Sequence, residues 1–162
     1  LIKIKALMIK INVITENIEW KKFIKKPQTF FDKNINLINK KDKFLEKNNF
    51  ICTVLLSGPS QIRKLNKKFR KKNKSTDILS FPFYEKKTLN YKIKGKQKEI
   101  YLGDIIINLN SIKTKKNFNK FIYEFNKIWI HGLAHLFGYT HKKNQDFKDM
   151  KKIEKKYINI LK

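Results

Sequence analysis

Two eight-residue runs constrain this chain more than any other feature. They are FICTVLLS at 50–57 and YLGDIIIN at 101–108. Together they carry one charged side chain, Asp104, in a protein where 39 of 162 residues are Lys or Arg. Short, β-branched, nearly uncharged runs read as strands buried inside a sheet, and such strands need helices to cover them. The helices are legible too. Within 17–48, Pro27 marks a helix start, and Phe30, Phe31, Ile35, Leu37, Ile38, Phe44 and Leu45 recur at helical spacing. After the turn Gly58-Pro59-Ser60 come Ile62, Leu65 and Phe69. Residues 111–136 are helical in pattern, and 146–161 carry Phe147, Met150, Ile153, Tyr157, Ile158 and Leu161 on one face. Two further strands are predicted at 6–14 and at 76–81, the latter closed by Pro82. The lysine-rich stretch 84–99 reads as a surface loop, and Gly103 as a bulge or a close approach. The expected architecture is α+β: one small mixed sheet of about four strands covered by helices. A chain of 162 residues with no repeat and no linker is expected to be a single domain, 1–162.

Charge is the next constraint. Lys plus Arg exceed Asp plus Glu by 39 − 13, a formal net charge of +26. A field this positive suits a polyanionic partner. Only Arg63 and Arg70 are arginine, however, so 39 − 2 leaves 37 lysines. Asn, Ile and Phe are abundant while alanine occurs only at Ala6 and Ala134. These are the products of A/T-rich codons, so the total charge alone does not define a function. Cys52 is the only cysteine, which excludes an intrachain disulfide and makes a reducing cytoplasm the default expectation. No apolar run approaches the ~20 residues of a membrane span. The apolar N-terminus is broken by Lys3, Lys5 and Lys10 and makes a poor signal peptide.

All three histidines, His131, His135 and His141, lie within HGLAHLFGYTH. His131 and His135 are four residues apart, hence on one helical face a turn apart, as two imidazoles need to be to share a tetrahedral ion. Gly138 can end the helix in the left-handed conformation and return the chain, so that His141 approaches from a third direction. With Phe118 at zero and about 100° per residue, the apolar stripe spans roughly 280° through 0° to 60°. On the same wheel His131 falls at about 220° and His135 at about 260°. Both lie at the edge of the stripe, as befits a cleft that holds and exposes a metal. Three neutral nitrogens leave a fourth position open, as in catalytic zinc sites. A structural site would be closed by four ligands, often cysteines, and Cys52 lies in a predicted buried strand. The ligand frame is that of the metzincin proteases, H-E-x-x-H-x-x-G-x-x-H, but Gly132 stands where their general base does. Peptide hydrolysis is therefore disfavoured.

HGLAHLFGYTH resembles the HGxLHLxGYDH signature of the YbeY family, the endoribonucleases of bacterial ribosomal RNA maturation. In the same order, FRKKNKSTDILSFPF resembles the family's YRGKDKPTNVLSFPF-type stretch, and YLGDIIIN resembles its LGDIVI strand. The likeness spans about Leu65 to His141. It implies a zinc-dependent, single-strand-specific endoribonuclease acting in 16S rRNA 3′-end maturation and ribosome quality control. It implies one Zn²⁺ held by His131, His135 and His141, with Arg70 acting on the phosphodiester. The implied partners are ribosomal RNA and small-subunit proteins, in the cytoplasm and away from membranes. Arg70 also stands out chemically, because a guanidinium grips phosphate oxygens in two places. A reading from another class is a non-catalytic ribosome assembly factor with a structural metal. Three positions depart from the family pattern: Thr140 replaces its Asp, Lys71 its Gly, and Ala134 a Leu. Glu124, seven residues before His131, reads first as a solvent-facing helix carboxylate and second as a partner holding an imidazole. Asp77 and Asp104 are candidate turn or loop pins. Phe81 reads as core, and Phe83 as a residue that could stack on bases.

Overall fold

The computed structural model describes residues 9–95 and 97–162; residues 6–8 of the first predicted strand lie outside them. Four strands, β1 (Ile9–Thr15), β2 (Phe50–Ser57), β3 (Ile78–Pro82) and β4 (Ile100–Asn108), form one sheet in the order β1-β2-β4-β3. β1 and β4 flank β2 in parallel, and β3 runs antiparallel to β4 at the edge. The two apolar runs thus occupy the two interior positions, where both edges of each strand are paired. The bulge expected at Gly103 is present: the β2–β4 register slips there, Ile51 pairing with Tyr101 and Cys52 with Gly103.

Among the described residues five helices accompany the sheet: α1 (Pro27–Lys41), α2 (Pro59–Arg70), α3 (Lys86–Lys94), α4 (Phe118–Leu136) and α5 (Asn144–Ile160). One face of the sheet carries the main core. Cys52, Val54 and Leu56 of β2 and Ile105 and Ile107 of β4 pack with Phe31 of α1 and Phe121, Phe125 and Trp129 of α4. Trp20 closes one end, donating its indole N–H to the Ser57 carbonyl at 2.9 Å. Burial, with a smaller contribution from Asp104, pushes the Cys52 thiol up to about 12, so it packs as a small hydrophobe. The opposite face is covered by α2, whose Ile62 meets Leu79 and Ile106; Phe81 packs at the margin of that cluster.

Three sequence expectations are corrected. The stretch 84–99 is not a loop throughout, because α3 forms within it and buries Leu89. The helix expected from Ser111 starts at Phe118, where the Asn117 side chain accepts from the Lys120 N–H and fixes the N-cap. Only Ile112 is buried in the segment before it, beyond a single 3-10 turn. The 17–48 pattern resolves into α1 flanked by two 3-10 turns, with Leu37 and Phe44 exposed.

The contact that seats α4 on the sheet is at Gly132. A Cβ there would lie 2.7 Å from Ile78 Cδ1 and 2.9 Å from Ile105 Cγ2. Ile105 is fully buried, so it can give way only by displacing the core around it. Gly132→Ala is therefore expected to destabilise by about 1–3 kcal/mol through overpacking, despite alanine's better helix propensity. A thermal melt should show a lower Tm, and an unchanged or raised Tm would refute this view of the contact.

Candidate metal centre

The last two turns of α4 carry His131 and His135, and their Nε2 atoms are 3.1 Å apart. Two ligands of a tetrahedral zinc at 2.0–2.1 Å stand about 3.3 Å apart, so this pair already matches one edge of the polyhedron. His141 arrives through the turn that ends α4. Gly138 takes φ +82°; its N–H donates to the His135 carbonyl at 2.9 Å and the Tyr139 N–H to the Ala134 carbonyl at 3.1 Å. This paired 5→2 and 6→1 pattern is the Schellman motif. One possible ligand atom from each of the three histidines lies within 4.8 Å of the others. His131 and His135 are half-buried and His141 is exposed, so the centre lies at the rim of a cleft.

The outward nitrogens are already engaged. His131 Nδ1 lies 2.6 Å from Glu154 Oε1 on α5, and His135 Nδ1 lies 2.9 Å from the Tyr139 carbonyl. Both partners are acceptors, so both Nδ1 atoms carry the proton and both Nε2 atoms present lone pairs. Two lone pairs facing each other at 3.1 Å repel unless a cation or proton lies between them. The donor set, two half-buried imidazole acceptors converging with a third imidazole nearby, therefore fits a borderline divalent ion. Electrostatics agree. Burial first, then the neighbouring His131, lower the His135 pKa below its ordinary value; the Tyr139 hydrogen bond opposes them, while His141 and Arg70 add to the lowering. Burial raises the Glu154 pKa, but hydrogen bonds from Lys151 and His131 outweigh it and leave the group below the usual glutamate value. Glu154 is thus a carboxylate, shared between His131 and the Lys151 ammonium at 2.6 Å.

Comparison with known proteins gives the same centre a family. The family model described as endoribonuclease YbeY matches residues 12–162. An endoribonuclease YbeY of Pelagibacter ubique is 45% identical over 159 residues, covering 96% of this chain and 97% of that protein. The chain belongs to the endoribonuclease YbeY family. The YbeY of Thermodesulfovibrio yellowstonii is 36% identical over 115 residues, 69% of this chain and 67% of its own length. A solution structure of a Thermotoga maritima protein aligns over 94% of this chain and 88% of its own, with a TM-score of 0.57 and 26% identity.

Set beside the YbeY pattern, the remaining sequence candidates separate. Arg70 is the exposed last residue of α2, and its charge makes the smallest of the contributions to the lowering of the His135 pKa. Arg63 is turned to Asn73, donating at 3.0 Å. Glu124 does not hold an imidazole. It accepts from the Lys113 and Thr114 N–H groups and from the Thr114 hydroxyl, the last at 2.7 Å, and so pins the loop before α4. The imidazole partner is Glu154, which sequence reasoning missed. It lies 23 residues beyond His131, on another helix, in a lysine-rich stretch that looks like a solvated face. Thr140, in place of the family's Asp, donates to Asp146 Oδ2 at 3.2 Å, so a carboxylate remains one hydrogen bond away. Asp77 caps the start of β3 through the Ile78 N–H at 2.8 Å, and Asp104 accepts from the Tyr101 hydroxyl at 2.6 Å. Phe83 is exposed, with its ring against Tyr84 and Tyr101.

Lys71, where the family has glycine, takes φ 59°, the left-handed conformation that follows a helix end. A side chain there costs about 1–2 kcal/mol, partly offset by the greater entropy that glycine has in the unfolded chain. Lys71→Gly is expected to stabilise the fold by up to about 1 kcal/mol in urea denaturation; destabilisation would contradict the strain. For the centre itself, Glu154→Gln is expected to weaken metal binding about 10–100-fold while the fold is retained. Competition against a chromophoric chelator measures this, and an unchanged affinity would remove Glu154 from the centre.

Proposed function

We propose that this chain is a single-domain, single-strand-specific endoribonuclease that cuts ribosomal RNA with a zinc ion held by His131, His135 and His141. Its expected tasks are 16S rRNA 3′-end maturation and ribosome quality control, in the cytoplasm, with ribosomal RNA and small-subunit proteins as partners. The observation that carries this reading is the pair of imidazole acceptors 3.1 Å apart, with a third histidine beside them, in a family of endoribonucleases. Among the described residues no helix is long and apolar enough to cross a membrane.

When bound, zinc supplies Lewis acidity toward a phosphoryl oxygen and brings the pKa of water toward neutrality. The protein's own groups account for the rest. Glu154 and the Tyr139 carbonyl hold protons at the Nδ1 atoms of His131 and His135, which keeps both rings as ligands and out of proton transfer. Arg70, exposed at the end of α2, grips the non-bridging oxygens through charge-assisted hydrogen bonds that strengthen as negative charge builds. Gly132 places no carboxylate next to His131, so the base a peptidase needs at that position is absent.

The test compares wild type, His135→Ala and Arg70→Ala, each supplied with zinc, on structured ribosomal RNA. Wild type is expected to cut in single-stranded segments. His135→Ala should lose metal and cleavage together, and Arg70→Ala should lose about 10²–10³-fold in rate while keeping its metal. Equal cleavage by all three would expose a contaminating nuclease and overturn the proposal. Binding without cleavage by any of them would make the chain a non-catalytic assembly factor.

A further inference from the structure

A cleft of about 600 Å³ opens from His131 along the groove between α4 and α5. Its α4 wall carries Tyr123, Lys127 and His131 at successive steps of four residues, so the face that presents the histidines continues backward for about 12 Å. The facing wall carries Lys151 and Lys155, one turn apart on α5, and Lys162 from the chain just beyond that helix.

The cleft also holds three side-chain carboxylates; one is ion-paired and two are fixed by uncharged donors. Glu154 is shared by His131 and Lys151, Glu124 clasps the Lys113–Thr114 loop, and Asp77 caps β3. Lys127, Lys155 and Lys162 are exposed, and among the described residues none pairs with a carboxylate. Three ammonium groups without a carboxylate partner therefore line a trough that ends at the histidines, and they outnumber the two carboxylates there, Asp77 and Glu124, that only uncharged donors hold. Tyr123, 47% exposed, stands at its far end with the Lys127 ammonium 5.8 Å from its ring centroid. Cations spaced along a trough with an exposed ring at one end match the repeating phosphates and the bases of a single strand.

We infer that this cleft is the seat for the single-stranded RNA segment flanking the scissile phosphate. Lys127, Lys155 and Lys162 contact the backbone and Tyr123 stacks under a base. The inference rests on the proposed nuclease function, because it is the metal centre that makes His131 the end of the path. It also separates three lysines from the many that only add to the net charge.

The experiment measures binding of a fluorescein-labelled, unstructured oligoribonucleotide by anisotropy across a salt series, using the full chain, with cleavage of the same RNA read in parallel. The variants are the triple Lys127→Ala/Lys155→Ala/Lys162→Ala, a charge-matched triple on α1 (Lys33→Ala/Lys40→Ala/Lys41→Ala), the cleft triple with arginine instead of alanine, and Tyr123→Ala. Removing three phosphate contacts should flatten the slope of log K against log salt by about 2. The α1 triple should flatten it much less, and the arginine triple should retain the wild-type slope. Tyr123→Ala should bind about 5–10-fold more weakly with the slope unchanged. All these positions are exposed, so matching melts will show that the variants fold. Equal flattening by the cleft and α1 triples would overturn the cleft, and would leave the nuclease reading standing if wild type cleaves and His135→Ala does not. Cleft-specific flattening without any metal-dependent cleavage would overturn the nuclease reading and keep the cleft as an RNA site.

Discussion

The seating of α4 on the sheet at Gly132 is the contact on which the site depends. With a hydrogen in place of a side chain, the helix backbone approaches Ile78 of β3 and Ile105 of β4 more closely than any other residue would allow. That approach sets the depth and rotation of the last two turns, and so sets His131 and His135 at the cleft edge. It also acts on the chemistry. A glutamate at position 132 would have to displace the Ile78 and Ile105 side chains, so this packing and a carboxylate base beside His131 exclude each other. The three-histidine frame thus has at position 132 a packing contact and no carboxylate.

Once α4 is placed, the end of the helix builds the remainder with few parts. Gly138 adopts a conformation that other residues reach only with strain. The resulting Schellman turn satisfies two end carbonyls and presents the Tyr139 carbonyl to His135. The same backbone that stops the helix also selects a tautomer. His131 obtains its tautomer from Glu154 on α5, so the docking of α5 on α4 is part of the centre as well as of the core. A proton held on each outer nitrogen leaves two inner lone pairs in opposition, and that unfavourable pairing favours a cation.

How much of this was legible from residue order follows from how local each interaction is. The interior strands declared themselves because burial removes charge, which is conspicuous in a lysine-rich chain. The His131–His135 pair and the Gly138 stop lie within one helical turn and one motif, so spacing alone located them. Glu154 was not legible. Its role depends on tertiary docking of a second helix onto α4, across 23 residues of chain, and its neighbours are the lysines of an ordinary solvated face. Neither reading of Glu124, a solvent-facing carboxylate or an imidazole partner, anticipated its role, for the complementary reason. Its helical angle was right, but the loop at Lys113 and Thr114 offered it nearer donors. Helix α3 was hidden because its apolar anchor is a single buried leucine, Leu89, among lysines. The start of α4 was set by the Asn117 cap, not by the apolar period, which carries on through Ile112.

The same distinction between local pattern and bulk composition applies to the +26 charge. At physiological ionic strength a charge is largely screened beyond about 8 Å, so lysines far from a bound strand contribute little to holding it. Codon drift can raise the number of lysines everywhere. It does not by itself place Lys127 in line with His131, or set Lys155 and Lys162 across the same groove. Arrangement relative to the histidines therefore carries more meaning than the total. By that criterion the roles proposed for Arg70 and the three cleft lysines rest on where they lie, at the end of α2 and along the α4–α5 groove, and not on the net charge.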